Sequence, residues 1–119
     1  MGTEINSTKT EGILVSVQTA YVRERSTPRV EHYAFAYRVE IVNESPYTIQ
    51  LLRRRWEIID AMGGKRVVEG EGVIGMQPIL APGESHRYTS GTDFPTPIGQ
   101  MKGHYVMYRK ADDAEFPVL

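Results

Sequence analysis

Large apolar residues alternate with small or charged residues along much of this chain, and the clearest case is residues 33–41. In that segment the large members are Tyr33, Phe35, Tyr37, Val39 and Ile41, and between them stand Ala34, Ala36, Arg38 and Glu40. Successive side chains of a strand point to opposite faces, so the large groups would share one face. A helix would spread the same rings around its circumference. Residues 13–22 alternate in the same way, and we predict a strand in both segments.

A third strand is predicted at residues 48–60, and its pattern changes in the middle. Adjacent apolar residues break strict alternation on both sides of three consecutive arginines. We therefore predict a β-bulge or a change of face near the arginines. With a period of two, Arg53 and Arg55 point to one face and Arg54 to the other. Trp56, the only tryptophan, is predicted to anchor the core.

Turn signals separate the predicted strands. Gly63-Gly64 suits a tight hairpin, and Pro82-Gly83 suits a β-turn with proline at its first central position. About seven or eight short antiparallel strands, without an amphipathic helix, favour an all-β fold of two stacked sheets, a β-sandwich. Residues 1–10 are polar and are predicted to be a flexible segment, which leaves 11–119 as the folded domain.

Composition narrows the classes of function. The 119 residues are enough for one domain, and they carry 14 basic and 15 acidic side chains. This balance gives no electrostatic reason to expect a nucleic-acid partner or an anionic membrane surface. The chain has no cysteine, which excludes disulfides, thiolate metal sites and thiol catalysis. Neither a secretory signal nor an apolar run of about 18 residues is readable, so we expect a cytoplasmic location without membrane insertion.

The segment GEGVIG at residues 70–75 has the spacing G-x-G-x-x-G. In dinucleotide-binding folds this spacing joins a strand to a helix, whereas here a proline and a turn follow. The dinucleotide interpretation therefore fails, although a nest of backbone N–H groups could still bind an anion. The candidate anion or ligand loop consists of Gly70, Gly72, Gly75 and Gln77. The preferred alternative is that these glycines serve bulge and turn geometry.

The arginines are the second candidate site. A guanidinium group forms paired hydrogen bonds to phosphate or carboxylate, so Arg53 and Arg55, together with His104, form a candidate recognition surface. The alternative is an ordinary solvated strand on the protein surface.

Residues for catalysis or metal binding do not cluster along the chain. His32, His86 and His104 are the only histidines, and none lies at metal-ligand spacing from another. No serine stands in a G-x-S-x-G elbow, and no triad order is readable. We predict no catalytic residue, no metal site and no cofactor.

A string of residues in the second half of the chain resembles the ApaG family. It runs through WEIID at 56–60, VVEGEGVIG at 67–75, QPILAPGE at 77–84, YTSG at 88–91 and GHY at 103–105. The aromatic strand YAFAY at 33–37 resembles the family as well, so the similarity covers residues 11–117. This resemblance implies an immunoglobulin-like or fibronectin type III-like β-sandwich.

The resemblance also implies a kind of function. The family has no established catalytic mechanism, its bacterial members are associated with magnesium and cobalt efflux, and related eukaryotic domains look like protein-interaction modules. We therefore expect a non-catalytic binding module, monomeric or homodimeric, whose partner is another protein. The candidate surface combines residues 70–77 with Arg53, Arg55 and His104. The alternative hypothesis is a small-ligand domain that binds a phosphorylated nucleotide or a divalent cation weakly at the glycine-rich loop.

Overall fold

The computed structural model describes residues 4–23, 26–27, 29, 32–73, 75–94 and 99–118. Nine strands are described along the chain: β1 (Glu4–Thr10), β2 (Ile13–Tyr21), β3 (Tyr33–Asn43), β4 (Ile49–Asp60), β5 (Lys65–Glu71), β6 (Ile79–Leu80), β7 (Ser85–Phe94), β8 (Gly99–Arg109) and β9 (Ala114–Val118). Among the described residues, no helix is long and apolar enough to cross a membrane.

The strands form two sheets, and every pair of neighbours is antiparallel. Sheet 1 has the order β1-β2-β3-β7, and sheet 2 has the order β5-β4-β8-β9. The short β6 pairs with the same edge of β4 as β5 does. The predicted all-β sandwich is therefore confirmed. The described strands outnumber the expected seven or eight because β1 is polar and β6 has two residues.

The core lies between the sheets and uses the alternating residues of the sequence pattern. Trp56 is 8% exposed and meets the ring of Tyr105 edge-on, with centroids 5.8 Å apart, which confirms its predicted role as a core anchor. The buried cluster also contains Ile13, Val15, Val39, Ile41, Ile49, Leu51, Val73, Leu80, Met107 and Val118.

A β-bulge in β4 reverses which residues point inward. The register between β4 and β8 shifts between Leu51 and Arg53, so Leu52 is the extra residue. Leu51 and Trp56 are both buried although they are an odd number of positions apart. The bulge thus keeps the apolar residues on both sides of it inside the sandwich, as the broken alternation predicts.

The first ten residues, which are expected to be flexible from their composition, contain a strand. Glu4–Thr10 is a strand that pairs with β2 along its whole length, while residues 1–3 lie outside the described part. Residues 6–9 are exposed, which explains why the sequence carries no apolar signal there. Whether this edge strand is flexible in solution, and the domain boundary at residue 11, stay predictions.

Strand β7 also extends further than the sequence pattern indicates. It reaches Phe94 although the sequence around it has no alternation of apolar and polar residues, and residues 95–98 lie outside the described part. Its register with β3 places Thr92 opposite Phe35 and Ser90 opposite Tyr37. The polar end of β7 contacts Arg66 of sheet 2 through Thr92 and helps to form the site described below.

Candidate functional site

The predicted recognition residues lie together on the outer face of sheet 2. Arg55 in β4 stands directly opposite His104 in β8 and Glu69 in β5. Directly opposed residues share a face, and Trp56 next to Arg55 points into the core. Arg53, two positions earlier, points outward as well. We call this surface, with Arg53, Arg55 and His104 at its centre, the outer charged face.

Both arginines of the outer charged face form exposed ion pairs. Arg53 Nη2 lies 2.7 Å from Glu115 Oε1, and Arg55 Nε lies 2.9 Å from Glu69 Oε1. Each of these four side chains is more than 40% exposed. Exposed pairs contribute about 0–1 kcal/mol, so an incoming carboxylate could replace either glutamate at little cost.

Glu57 continues the outer charged face along β4. Its carboxylate lies 2.9 Å from Lys65 Nζ, 3.7 Å from Lys102 Nζ and 3.9 Å from Arg55 Nη1. The hydrogen bond from Lys65, reinforced by the charges of the three cations, lowers the pKa of Glu57. Basic and acidic side chains therefore alternate across the outer charged face, which is not a uniformly basic patch.

The glycine-rich segment forms a tight turn in which backbone N–H groups already have partners. Gly72 N–H donates to Leu52 O at 2.8 Å, and Val73 and Met76 donate to each other's carbonyls at 2.7 and 2.9 Å. Gly75 has φ +73°, a conformation that favours glycine, and Ile74 lies outside the described residues. These three N–H groups are not available to cradle an anion.

The remaining candidate residues of this loop have local structural contacts. Gly72 has φ +62°, and a Cβ there would stand 2.0 Å from Met76 O. The Gln77 side-chain amide donates to Leu52 O at 3.0 Å. Gly70 lies inside β5, opposite Arg54. The contacts support the turn-geometry interpretation, while ligand binding by the loop stays a prediction.

Arg54 points into the sandwich, between its two outward-pointing neighbours. Its Nη1 donates to Gly72 O at 2.7 Å and to Glu71 O at 3.3 Å. A Cβ on Gly70 would lie 3.1 Å from that nitrogen, so glycine leaves room for the guanidinium above β5. No carboxylate pairs with Arg54 among the described residues. The period of two gave its direction, but nothing local in the sequence indicated a site there.

Arg54 lines a cleft of about 410 Å³ between the two sheets. Tyr37, Ser90, Gly91, Thr92 and Asp93 line it from sheet 1, and Arg54, Trp56, Ile58, Arg66, Val68 and Met101 line it from sheet 2. Arg66 connects the sheets at the edge of the cleft, where its Nη2 donates to Thr92 Oγ1 at 2.6 Å and its Nη1 lies 3.6 Å from Asp93 Oδ1.

Two tyrosines, Tyr105 buried and Tyr88 partly buried, lie close to Arg54. The hydroxyl groups of Tyr88 and Tyr105 form a hydrogen bond to each other. Burial raises the pKa of Tyr88 to about 12 and raises the pKa of Tyr105 as well, while the positive charge of Arg54 acts in the opposite direction on both. Both hydroxyls are therefore protonated at neutral pH. The buried Trp56 Nε1 has no hydrogen-bond partner among the described residues.

The lining of this cleft combines polar and apolar groups. Its lining supplies hydrogen-bond donors and apolar surface, and its one carboxylate, Asp93, is paired with Arg66 and lies 3.3 Å from His32 Nε2. Across the described part of the chain, no group of three or more histidine or acidic side chains could hold a metal ion.

Two antiparallel sheets around one core, with a charged outer face and an inter-sheet cleft, define a β-sandwich domain. Residues 23–109 of the chain match the ApaG domain. The chain therefore belongs to the ApaG family, and the family predicted from the residue string at 56–105 is confirmed.

Individual relatives agree with this assignment. The chain is 50% identical over 101 residues to Protein ApaG of Paramagnetospirillum magneticum, an alignment that covers 85% of this chain and 78% of the relative. It is also 50% identical over 114 residues to Protein ApaG of Methylorubrum extorquens strain PA1, covering 93% and 88%. A crystal structure of the putative ApaA protein from Bordetella pertussis is similar, with TM-score 0.88 and 43% identity over 92% of this chain and 89% of that one.

Proposed function

We propose that this chain is a non-catalytic binding domain of the ApaG type, and that it recognises another protein through the outer charged face. The observation that carries the proposal is the row formed by Arg55, His104 and Glu69 on three neighbouring strands, with Arg53 beside it. A row on paired strands is rigid, which lowers the entropy lost when a partner docks. The expected partner presents carboxylates that replace Glu69 and Glu115 on the two arginines.

The family resemblance implies an association with magnesium and cobalt efflux. We propose that the partner protein, and not this domain itself, provides that association. In this view the domain acts as an adaptor in the cytoplasm, and the partner carries the chemistry of ion transport or its regulation. Direct binding of a phosphorylated nucleotide or a divalent cation at residues 70–77 is the alternative. The occupied N–H groups of Gly72, Val73 and Met76 count against it.

The experiment is an affinity pull-down from a bacterial lysate with the purified domain as bait. The double variant Arg53→Glu/Arg55→Glu reverses the charge of the outer charged face. Its matched control, Arg38→Glu/Arg87→Glu, makes the same change in net charge on the outer face of sheet 1. We expect a partner retained by the wild type and the control and lost with the first variant. Equal recovery with both variants, or no protein above background with the wild type, would refute the proposal.

The small-ligand alternative has its own readout. Amide NMR spectra are followed while ATP, diadenosine tetraphosphate, Mg²⁺ or Co²⁺ is added to the purified domain. Saturable shifts confined to Gly70, Gly72 and Gly75 would favour ligand binding at the loop. Unchanged amides there at about millimolar ligand would eliminate the alternative, since weaker binding corresponds to less than about 4 kcal/mol.

A further inference from the structure

Arg54 is a partly buried positive charge whose hydrogen-bond capacity is incompletely used. A guanidinium group has five N–H donors, yet only Nη1 of Arg54 has partners among the described residues, and both are backbone carbonyls. By contrast, its neighbours Arg53 and Arg55 each contact a glutamate. Charges removed from water are normally paired, so Arg54 lacks the counter-charge that its surroundings favour.

The groups around Arg54 do not provide that counter-charge. Tyr88 and Tyr105 lie near it, but their raised pKa values keep both hydroxyl groups neutral at physiological pH. Asp93 lines the same cleft, and its carboxylate contacts Arg66 at the edge. Arg54 and Arg66 together outweigh the one carboxylate, so the lining carries a net positive charge of one.

The rest of the lining indicates what kind of molecule would enter. Beside Arg54, the cleft exposes the hydroxyl-bearing residues Tyr37 and Ser90 and the apolar side chains of Trp56, Val68 and Met101. Its volume of about 410 Å³ exceeds that of a bare phosphate or sulfate and falls in the range of pockets that hold small organic molecules. A ligand that satisfies Arg54 would thus also need an apolar or aromatic body.

We propose that the inter-sheet cleft binds a small organic anion, whose oxyanion group is held by the Arg54 guanidinium and whose apolar or aromatic body packs against Trp56 and Met101. This site is separate from the outer charged face, because Arg54 points to the opposite side of sheet 2 from Arg53 and Arg55. The oxyanion is a phosphate or a carboxylate, since the guanidinium fork fits both geometries. Failure of the protein-partner proposal leaves this one intact, and the reverse also holds.

Trp56 provides the test, because it is the only tryptophan of the chain and it lines the cleft. Its fluorescence is followed while phenyl phosphate, benzoate, inorganic phosphate or benzyl alcohol is added to the wild-type protein in phosphate-free buffer. We expect a saturable change with phenyl phosphate or benzoate, at a dissociation constant of about 1 mM or below for ligands of roughly ten non-hydrogen atoms. Inorganic phosphate lacks the aromatic body, and benzyl alcohol lacks the negative charge. Both should therefore bind at least about tenfold more weakly than the aromatic anions.

The two aromatic anions also identify the oxyanion. Tighter binding of phenyl phosphate assigns a phosphate ligand, and tighter binding of benzoate assigns a carboxylate. Saturation by neither of them, or equally tight binding of benzyl alcohol, would overturn the proposal.

Neighbouring arginines provide the matched variants. Arg54→Gln removes the inward charge and should weaken binding of the aromatic anion at least about tenfold, whereas Arg53→Gln removes an outward charge and should change it less than about twofold. An equal loss in both variants would mean a general charge effect and would overturn the site. NMR of the wild-type protein tests the same contact without a variant: the Arg54 Nε–H resonance should shift with ligand far more than that of Arg53.

Discussion

The hydroxyl groups of Tyr88 and Tyr105 form a hydrogen bond that joins strand β7 of sheet 1 to strand β8 of sheet 2. The two sheets pack mainly through apolar side chains, whose attraction does not depend on direction. The tyrosine hydrogen bond adds a contact that does depend on direction. Trp56 packs edge-on against Tyr105 and holds its ring in place. The pair thus helps to fix the position of β7 relative to β8.

Stability should fall at alkaline pH because these tyrosines ionise later in the folded protein than in the unfolded chain. Burial raises the pKa of Tyr88 from 10.0 to about 12, so between those values the folded state keeps a proton that the unfolded state has lost. The free energy of unfolding therefore decreases as pH rises through this interval, by about 1.4 kcal/mol per pH unit for each such tyrosine. Below pH 10 the full contribution of these tyrosines to the free energy of unfolding is present. Urea unfolding at a series of pH values measures how that free energy decreases above pH 10.

The double variant Tyr88→Phe/Tyr105→Phe is the control for this loss of stability at alkaline pH. It removes both ionisable groups while it keeps both rings in the interior. Its free energy of unfolding should depend less steeply on pH above 10 than that of the wild type. Identical slopes in the two proteins would show that other groups cause the alkaline destabilisation.

The strands could be predicted from the sequence because their evidence is local. Val39 and Ile41 lie on either side of Glu40 and are fully buried, and the bulge follows from the broken alternation around the arginines. Strand β1 escaped prediction because an edge strand with exposed side chains needs no apolar period. Its hydrogen bonds to β2 come from the backbone, which composition does not reveal.

The candidate sites, too, could be predicted from the sequence only where their evidence is local. The shared face of Arg53 and Arg55 follows from a period of two, whereas His104 joins them only through the pairing of β4 with β8. The cleft around Arg54 depends on how two sheets stack, with Ser90 and Trp56 contributed from opposite layers. Such contacts join residues far apart in sequence, and no local pattern encodes them.

Asn43 should be the most sensitive polar residue of the core. It is fully buried, its Nδ2 donates to Tyr47 O and Leu80 O at 2.7 and 2.9 Å, and its Oδ1 accepts from Ser45 N and Oγ at 3.0 and 2.6 Å. Asn43→Ala leaves these buried groups without partners, so we expect a loss of about 2–4 kcal/mol in the free energy of unfolding. The measurement is urea denaturation.

The matched control is Asn6→Ala on the exposed face of β1, which should change stability by less than about 0.5 kcal/mol. A cost for Asn43→Ala as small as that of the control would mean that water or a rearrangement satisfies the exposed carbonyls.

Gly103 should tolerate no side chain, because β8 approaches β4 closely at that point. A Cβ at this position would stand 1.9 Å from Arg55 O and 2.9 Å from its carbonyl carbon, both backbone atoms that cannot swing away. We expect Gly103→Ala to lower the free energy of unfolding by at least about 2 kcal/mol. Gly91→Ala, also inside a strand but with its nearest contact at 3.3 Å from Phe35 O, should cost less than about 1 kcal/mol. Thermal unfolding of both variants provides the comparison, and similar melting temperatures would contradict the close approach.

Asp93 should weaken the binding of an organic anion in the cleft, because it places a negative charge in the same lining as Arg54. Asp93→Asn removes that charge and leaves Arg66 without its carboxylate partner, so the lining gains one net positive charge. We expect the affinity for the aromatic anion to rise roughly threefold, which corresponds to the modest energy of one partly exposed charge. Trp56 fluorescence measures the affinity.

Glu40→Gln is the control for Asp93→Asn, since it removes the same charge from the outer face of sheet 1, where Glu40 pairs with Arg87. Its effect on affinity should be smaller, because Glu40 lies outside the cleft and salt screens charges beyond about 8–10 Å. If both variants raised the affinity equally, the gain would come from net charge alone. If Asp93→Asn lowered it, the Arg66–Asp93 pair would be holding the cleft in its binding shape, and the carboxylate would support the ligand instead of opposing it.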